Sequence, residues 1–156
     1  MLEIQLPGQP SQKLEYVVSD VNGTLSLDGK LLPGVAAAVA RLKGQVEFYL
    51  LSADTAGTAA EIAKTLGVSL HVIKAGHEAR QKARFVHKLG EERCIAIGQG
   101  RNDTKMLKLA ALGICVLSRE GTAVPTLNAA DIVVPDILAA FELLQKPLRI
   151  VATLRR

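Results

Sequence analysis

Apolar positions along the chain fall into two alternating kinds of run. Short stretches, β-branched or aromatic and bounded by Gly, Asp, Ser or Pro, occur at Leu14–Ser19, Val46–Leu51, Leu70–Ile73, Cys94–Ile97, Ile114–Leu117 and Ile132–Val134, and each reads as a strand. Segments with helical spacing lie between them. Pro33 and Gly34 open one that runs to Leu42, with Gly44 as its stop. Thr55–Leu66 is Ala-rich and ends at Gly67, and Glu78–Leu89 repeats apolar residues at Ala79, Ala83, Val86 and Leu89 before Gly90. Asn102–Ala111, Thr122–Ala130 and Ile137–Leu154 complete the series, the last one interrupted by Pro147, which must kink or split it.

Strands alternating with helices specify parallel βαβ units. The expected fold is α/β: a three-layer, Rossmann-like open sheet, mostly parallel, of five or six strands. In such sheets ligands bind beyond the carboxyl ends of the strands. The positions that matter are therefore Asp20, Ser52, the loop near Lys74, Gly98–Asp103 and Ser118. A length of 156 residues suits a single domain over 1–156. Within it, residues 1–13 read as a strand (Leu2–Leu6) and a linker marked by Pro7–Pro10, the strand being free to form a hairpin or pair at a sheet edge. Residues 25–32 read as a small flap hairpin turning at Asp28-Gly29.

Composition narrows the function classes. With 49% apolar residues the chain is neither disordered nor a disulfide scaffold, and no low-complexity segment or internal repeat appears. A net charge of +4, with dispersed basic residues and 3% aromatics, permits an anionic substrate and argues against nucleic acid as the partner. The amino terminus has no signal-peptide pattern, and no apolar run reaches the roughly 18 residues of a membrane span. A cytoplasmic protein that does not engage membranes is expected. Cys94 and Cys115 sit in apolar runs and read as core thiols. His71, His77 and His87 lack any shared ligand spacing, and Arg149, Arg155 and Arg156 read as a solvated helix end.

Two stretches carry candidate chemistry. Asp20-Val21-Asn22-Gly23-Thr24-Leu25 follows the first core strand: its acid points into the crevice, Gly23 allows an unusual backbone angle, and Thr24 offers a hydroxyl and an N–H to an anion. These residues also favour a plain β-turn. Gly98-Gln99-Gly100-Arg101-Asn102-Asp103 follows the fourth strand and opens a helix, with two glycines for a tight turn. Asp103 replaces the third glycine of G-x-G-x-x-G. That weakens a dinucleotide reading and suits a Mg²⁺ held jointly with Asp20.

Together these stretches resemble the haloacid dehalogenase-like (HAD) superfamily of phosphotransferases, over about Tyr16 to Asp136. DVNGTL resembles its D-x-D-G-T-L nucleophile motif, LLSAD its second motif with Ser52 and Ala53, and GQGRNDTKML its G-D-G-x-N-D-x-x-M-L. The third-motif lysine is best matched by Lys82 in ARQKARFVHKLG, with Lys74 as rival. The capless, soluble P-type-ATPase-like branch is the nearest match. The resemblance implies Asp20 as nucleophile, with Lys82 neutralising the phosphate and holding Asp20. It implies Thr24, Ser52, Ala53, Lys82 and Asn102 as phosphate-binding residues. Asp20, the Asn22 carbonyl, Asp103 and Gln99 would surround Mg²⁺.

Two positions depart from the pattern. Asn22 stands where the family has its general acid/base, and an amide has no titratable proton near neutrality. Gln99 stands where the family has an aspartate, so Mg²⁺ should bind more weakly. P-type ATPases also lack the acid at the position of Asn22, and their leaving group is a diphosphate. By that analogy the substrate is a small phosphorylated molecule with a good leaving group, such as ATP or an aryl or acyl phosphate, turned over slowly. The alternative is a catalytically impaired module that binds phosphate or a phosphoprotein. A receiver-like domain phosphorylated on Asp20 is disfavoured, because receivers carry that acid after the third strand. A capless site is open to water, which favours a homo-oligomer that covers it.

Overall fold

The computed structural model describes residues 1–54 and 56–156. The chain opens with an antiparallel hairpin, β1 (Leu2–Ile4) against β2 (Gln12–Leu14), with Leu2 opposite Leu14. Leu14 therefore belongs to this hairpin and not to the first core strand, which begins at Tyr16. Leu2, Ile4 and Leu14 are buried and share a cluster with Ile150 near the carboxyl terminus.

The central sheet contains β3 (Tyr16–Asp20), β6 (Glu47–Ser52), β7 (Ser69–Val72), β8 (Cys94–Gly98), β9 (Leu112–Val116) and β10 (Ile132–Val134). Its order is β10-β9-β8-β3-β6-β7, and every neighbouring pair is parallel. From β3 the chain winds outward through β6 to β7, then returns to β8 on the other flank of β3 and winds outward again. The direction reverses between β3 and β8, so the crevice at their carboxyl ends is where this architecture places a ligand. Asp20 ends β3, and the loop after β8 carries Gln99–Asp103.

Alternation along the strands divides the core into two layers. Val17, Phe48, Leu50, Ile95, Ile97 and Ile114 face α1 (Val35–Leu42), α2 (Thr58–Leu66), α6 (Ile137–Gln145) and α7 (Pro147–Leu154). Val18, Leu51, Cys94, Ala96 and Cys115 face α3 (Glu78–Leu89) and α4 (Thr104–Leu109), beside which lies α5 (Val124–Ala129). Asp20 follows Val18 by two residues and so shares the α3 side. Between β3 and α1 stands only the small hairpin of β4 (Ser26–Leu27) and β5 (Lys30–Leu31), with no inserted domain.

Several boundaries differ from the sequence expectation for local reasons. The Asp54 carboxylate caps the chain entering α2, accepting from the N–H groups of Ala56 and Ala59 at 2.8 and 3.2 Å, and the helix starts at Thr58. The expected start at Thr55 lies outside the described residues. The segment after Gly100 begins as a 3₁₀ turn, Arg101–Asp103, and α4 stops at Leu109, because Leu112 is already the first residue of β9. Gly113 lies inside that strand: a Cβ there would sit 2.2 Å from the Leu107 carbonyl. Leu117 lies beyond β9 and is exposed. Pro147 ends one helix and starts the next, as its missing N–H demands. No helix among the described residues is long and apolar enough to cross a membrane.

Candidate active site

The loop leaving β3 is wound tightly on itself. The N–H groups of Thr24, Leu25 and Ser26 all point to the Val21 carbonyl at 2.9–3.2 Å, and Gly23 N–H donates to the Ser26 carbonyl at 2.9 Å. Gly23 adopts φ +79°, and a Cβ on it would meet Gln99 Nε2 at 2.4 Å and Glu120 Oε2 at 2.7 Å, so both torsion and space require glycine. Thr24, buried, donates its hydroxyl to Asp20 Oδ2 at 3.2 Å. The Asn22 side chain is exposed.

Lys82 is the centre of the arrangement. Its ammonium donates to Asp20 Oδ1 at 2.8 Å, to Asp103 Oδ1 at 2.7 Å and to Asn102 Oδ1 at 3.4 Å. Lys82 is 1% exposed, Asp103 0% and Asp20 8%. Burial by itself would lower the Lys82 pKa, but the charges and hydrogen bonds of Asp20 and Asp103 outweigh it and raise it, so the group stays an ammonium. Asp103 shifts the other way for an acid. Burial and the neighbouring Asp20 carboxylate push it up to about 7, against the opposing pull of Lys82 and the Gly100 N–H. Burial is the largest cause of the Asp103 shift; the shared ammonium, which cannot fully compensate two carboxylates, leaves the Asp20 repulsion to add to it.

The β8 loop fixes Asp103. Its Oδ2 accepts from the N–H groups of Gln99 at 3.1 Å and Gly100 at 3.0 Å. Its Cγ lies 2.5 Å from where a Gly98 Cβ would be, so Gly98 leaves room for the carboxylate. The expected tight turn is thus bought at Gly98 by a missing side chain and not by a positive φ. Thr126 on α5 donates to the Gly100 carbonyl at 2.7 Å, and Asn102 Nδ2 donates to Glu78 Oε2 at 2.8 Å, which turns the Asn102 oxygen toward Lys82.

Gln99 Oε1 is buried and has no hydrogen-bond partner among the described residues. Among the described residues no three His, Cys, Asp or Glu side chains gather as a metal site. The donors at this crevice are oxygens: the two carboxylates and an unsatisfied amide carbonyl. That set fits a hard divalent cation such as Mg²⁺, with less negative charge than three carboxylates would offer.

On the other flank, Ser52 ends β6 one residue beyond the partner of Asp20; it is buried, and its Oγ accepts from the Asp54 N–H at 3.0 Å. Ala53 follows, half-buried. Lys74 is exposed, its backbone clasped by Gln81 at 3.0 and 2.8 Å. The structure thus brings Asp20, Thr24, Lys82, Asn102 and Asp103 together, puts Gln99 beside Gly23, and leaves Lys74 apart. His71, His77 and His87 are exposed and dispersed. Burial raises the thiols of Cys94 and Cys115 to about 12 and about 11, as suits inert core cysteines. Glu78, Thr126 and Glu120 had no place in the sequence reading. Nothing local distinguishes them, because each acts through a contact with a loop distant in sequence.

Comparison with known proteins adds the family. The model for haloacid dehalogenase-like hydrolases matches residues 2–111. An uncharacterized protein of Methanocaldococcus jannaschii is 43% identical over 86 residues, covering 53% of this chain and 92% of its own length. The zinc/cadmium/lead-transporting P-type ATPase of Escherichia coli is 34% identical over 113 residues, 71% of this chain; the match spans only 15% of the transporter. Among solved structures, the 3-deoxy-D-manno-octulosonate 8-phosphate phosphatase of Moraxella catarrhalis, in complex with magnesium, phosphate and KDO, has a TM-score of 0.69 at 20% identity, covering 89% of this chain and 90% of that one. That likeness is one of fold. A zinc-transporting PIB-type ATPase in its E2.Pi state has a TM-score of 0.66 at 27% identity, over 79% of this chain and 20% of that one. With the family model covering most of the chain, including the acids after β3 and β8 and the lysine between them, the protein belongs to the haloacid dehalogenase-like hydrolases.

Proposed function

We propose that this hydrolase is a Mg²⁺-dependent phosphohydrolase that works through an aspartyl-phosphate on Asp20. The observation that carries the reading is the buried Lys82 ammonium set between Asp20 and Asp103 at 2.8 and 2.7 Å. An Asp20 oxygen attacks phosphorus, and the bond from phosphorus to the leaving oxygen breaks, its electron pair departing with that oxygen. Water then attacks phosphorus and the bond to Asp20 breaks, releasing phosphate. Lys82 aligns Asp20 and lowers the repulsion between two anions, while Ser52, Thr24 and Asn102, with the backbone at Ala53, hold phosphoryl oxygens. Mg²⁺, held by Asp20, the Asn22 carbonyl and Asp103 with Gln99 beside them, would supply further positive charge where negative charge accumulates.

Asn22 cannot protonate the leaving oxygen or activate water, so the first step requires a group that leaves as an anion and the second is slow. Asn22 and Gln99 together also favour the second reading, a module that retains phosphate binding and has lost turnover. p-Nitrophenyl phosphate and ATP turnover with Mg²⁺, wild type against Asp20→Asn, separates the two. Loss in the variant supports the hydrolase, and equal background rates support the binding module. The open crevice suits a homo-oligomer, which sedimentation would detect. The two unpaired thiols suit the reducing cytoplasm.

A further inference from the structure

We infer that the leaving group is an apolar ring, and that the substrate class is an aryl or enol phosphate, not a nucleotide. The inference rests on the reading of Asp20 as phosphoryl acceptor and extends it through a cavity of about 330 Å³ beside the nucleophile loop. Gly23 and Thr24 form one wall, and the Thr24 hydroxyl lies 3.2 Å from Asp20 Oδ2, so the cavity and the nucleophile share a side chain. Leu27 and Leu32 from the flap, Val116 and Leu117 around the end of β9, and Pro135 and Ile137 around the start of α6 supply an apolar lining. A volume near the lower end of the range for small-molecule sites suits a ring system.

The charges at the cavity argue against a polyphosphate. Asp136 is in its wall and is committed to capping α6, accepting from Ala139 N–H at 2.8 Å. Arg119 is the one cationic side chain in the lining and has no ion pair among the described residues. A nucleoside diphosphate would meet a single cation, a carboxylate and apolar walls, whereas an apolar ring would bury its surface. The missing acid at Asn22 makes an independent demand. With no proton to give, the site favours a phenolate, whose conjugate acid has a pKa of about 10, over an alkoxide nearer the ~16 of water. An aryl or enol oxygen on an apolar body meets both demands, and Arg119 tolerates an anionic substituent at its outer end.

The test is kcat/KM, with Mg²⁺, for 1-naphthyl phosphate, phenyl phosphate, acetyl phosphate and ATP, in wild type, Asp20→Asn, Leu117→Glu and, as a surface control, Leu148→Glu. The naphthyl and phenyl esters have similar leaving-group acidity but differ by one ring. The second ring should gain about tenfold, the factor expected from burying roughly 50 Å² more apolar surface. Leu117 is 47% exposed, so a charge placed there can reach water. Leu117→Glu should cut the naphthyl-to-acetyl ratio about tenfold, and Leu148→Glu should leave it alone. The inference is overturned if the second ring gains nothing, if ATP is the best substrate, or if Leu117→Glu alters self-association but not the ratio. If no ester shows Asp20-dependent turnover, the proposed function itself fails and this extension goes with it.

Discussion

Replacing Lys82 with methionine keeps most of the stem volume and removes the ammonium. Asp103 and Asp20, 0% and 8% exposed, would then face each other uncompensated. Breaking a buried ion pair by removing one partner costs about 3–5 kcal/mol. The protein can relieve part of this by protonating Asp103, whose folded-state pKa is already up at about 7 and would rise further without the ammonium's opposing pull. The sign follows from proton counting. An acid whose folded pKa is raised binds more protons folded than unfolded, so its contribution to stability falls as pH rises from the unfolded value of about 4 to the folded value. In wild type that decline ends near pH 7; in the variant it continues. Between pH 7 and 8 the variant should lose about 1 kcal/mol more than wild type, on top of a deficit that is smaller at pH 5.5. Urea melts of both proteins without metal at pH 5.5, 7 and 8 measure this, and Lys82→Met/Asp103→Asn should recover much of the loss. A deficit independent of pH, or a variant as stable as wild type at pH 8, would refute this electrostatic account.

Other substitutions probe single contacts. Asn22→Asp should raise turnover of alkyl phosphates at least tenfold relative to aryl phosphates in steady-state assays, by restoring a general acid. Gln99→Asp should strengthen Mg²⁺ binding severalfold in calorimetry, because it turns an unsatisfied amide oxygen into a charged ligand. Glu78→Ala should release the Asn102 amide and lower kcat more than it changes KM, with Glu78→Gln partly rescuing it. Gly98→Ala should cost about 1–3 kcal/mol in thermal melts and displace Asp103, since the new methyl would stand 2.5 Å from its Cγ.

The sheet was legible because every core strand is a short apolar run punctuated by small or polar residues; its strand order, and with it the switch point between β3 and β8, was not, because long crossovers let parallel strands pair out of sequence order. Leu14 misled because Leu14, Tyr16 and Val18 continue a period of two; Pro7–Pro10 marks the turn toward its true partner Leu2 but does not say which residues pair across it. Gly113 read as a helix stop because its purpose, clearance for the Leu107 carbonyl, is visible only in three dimensions. At the site, the acids announced themselves by following strands. Lys82 came from the resemblance, although its place on the stripe with Ala79, Val86 and Leu89 offered a signal: a lysine on the buried face of a helix needs anionic partners. Glu78, which holds the Asn102 amide, and Thr126, which holds the Gly100 carbonyl, left no trace in local sequence.

The junction of Lys82 with Asp20 and Asp103 joins residues 62 and 21 positions apart. Without those acids α3 would carry a bare ammonium into an oily layer, so it has little to gain by docking on a half-made sheet. Its seating is therefore coupled energetically to β3 and the β8 loop lying side by side, so the packing of α3 and the candidate site depend on one buried ion cluster.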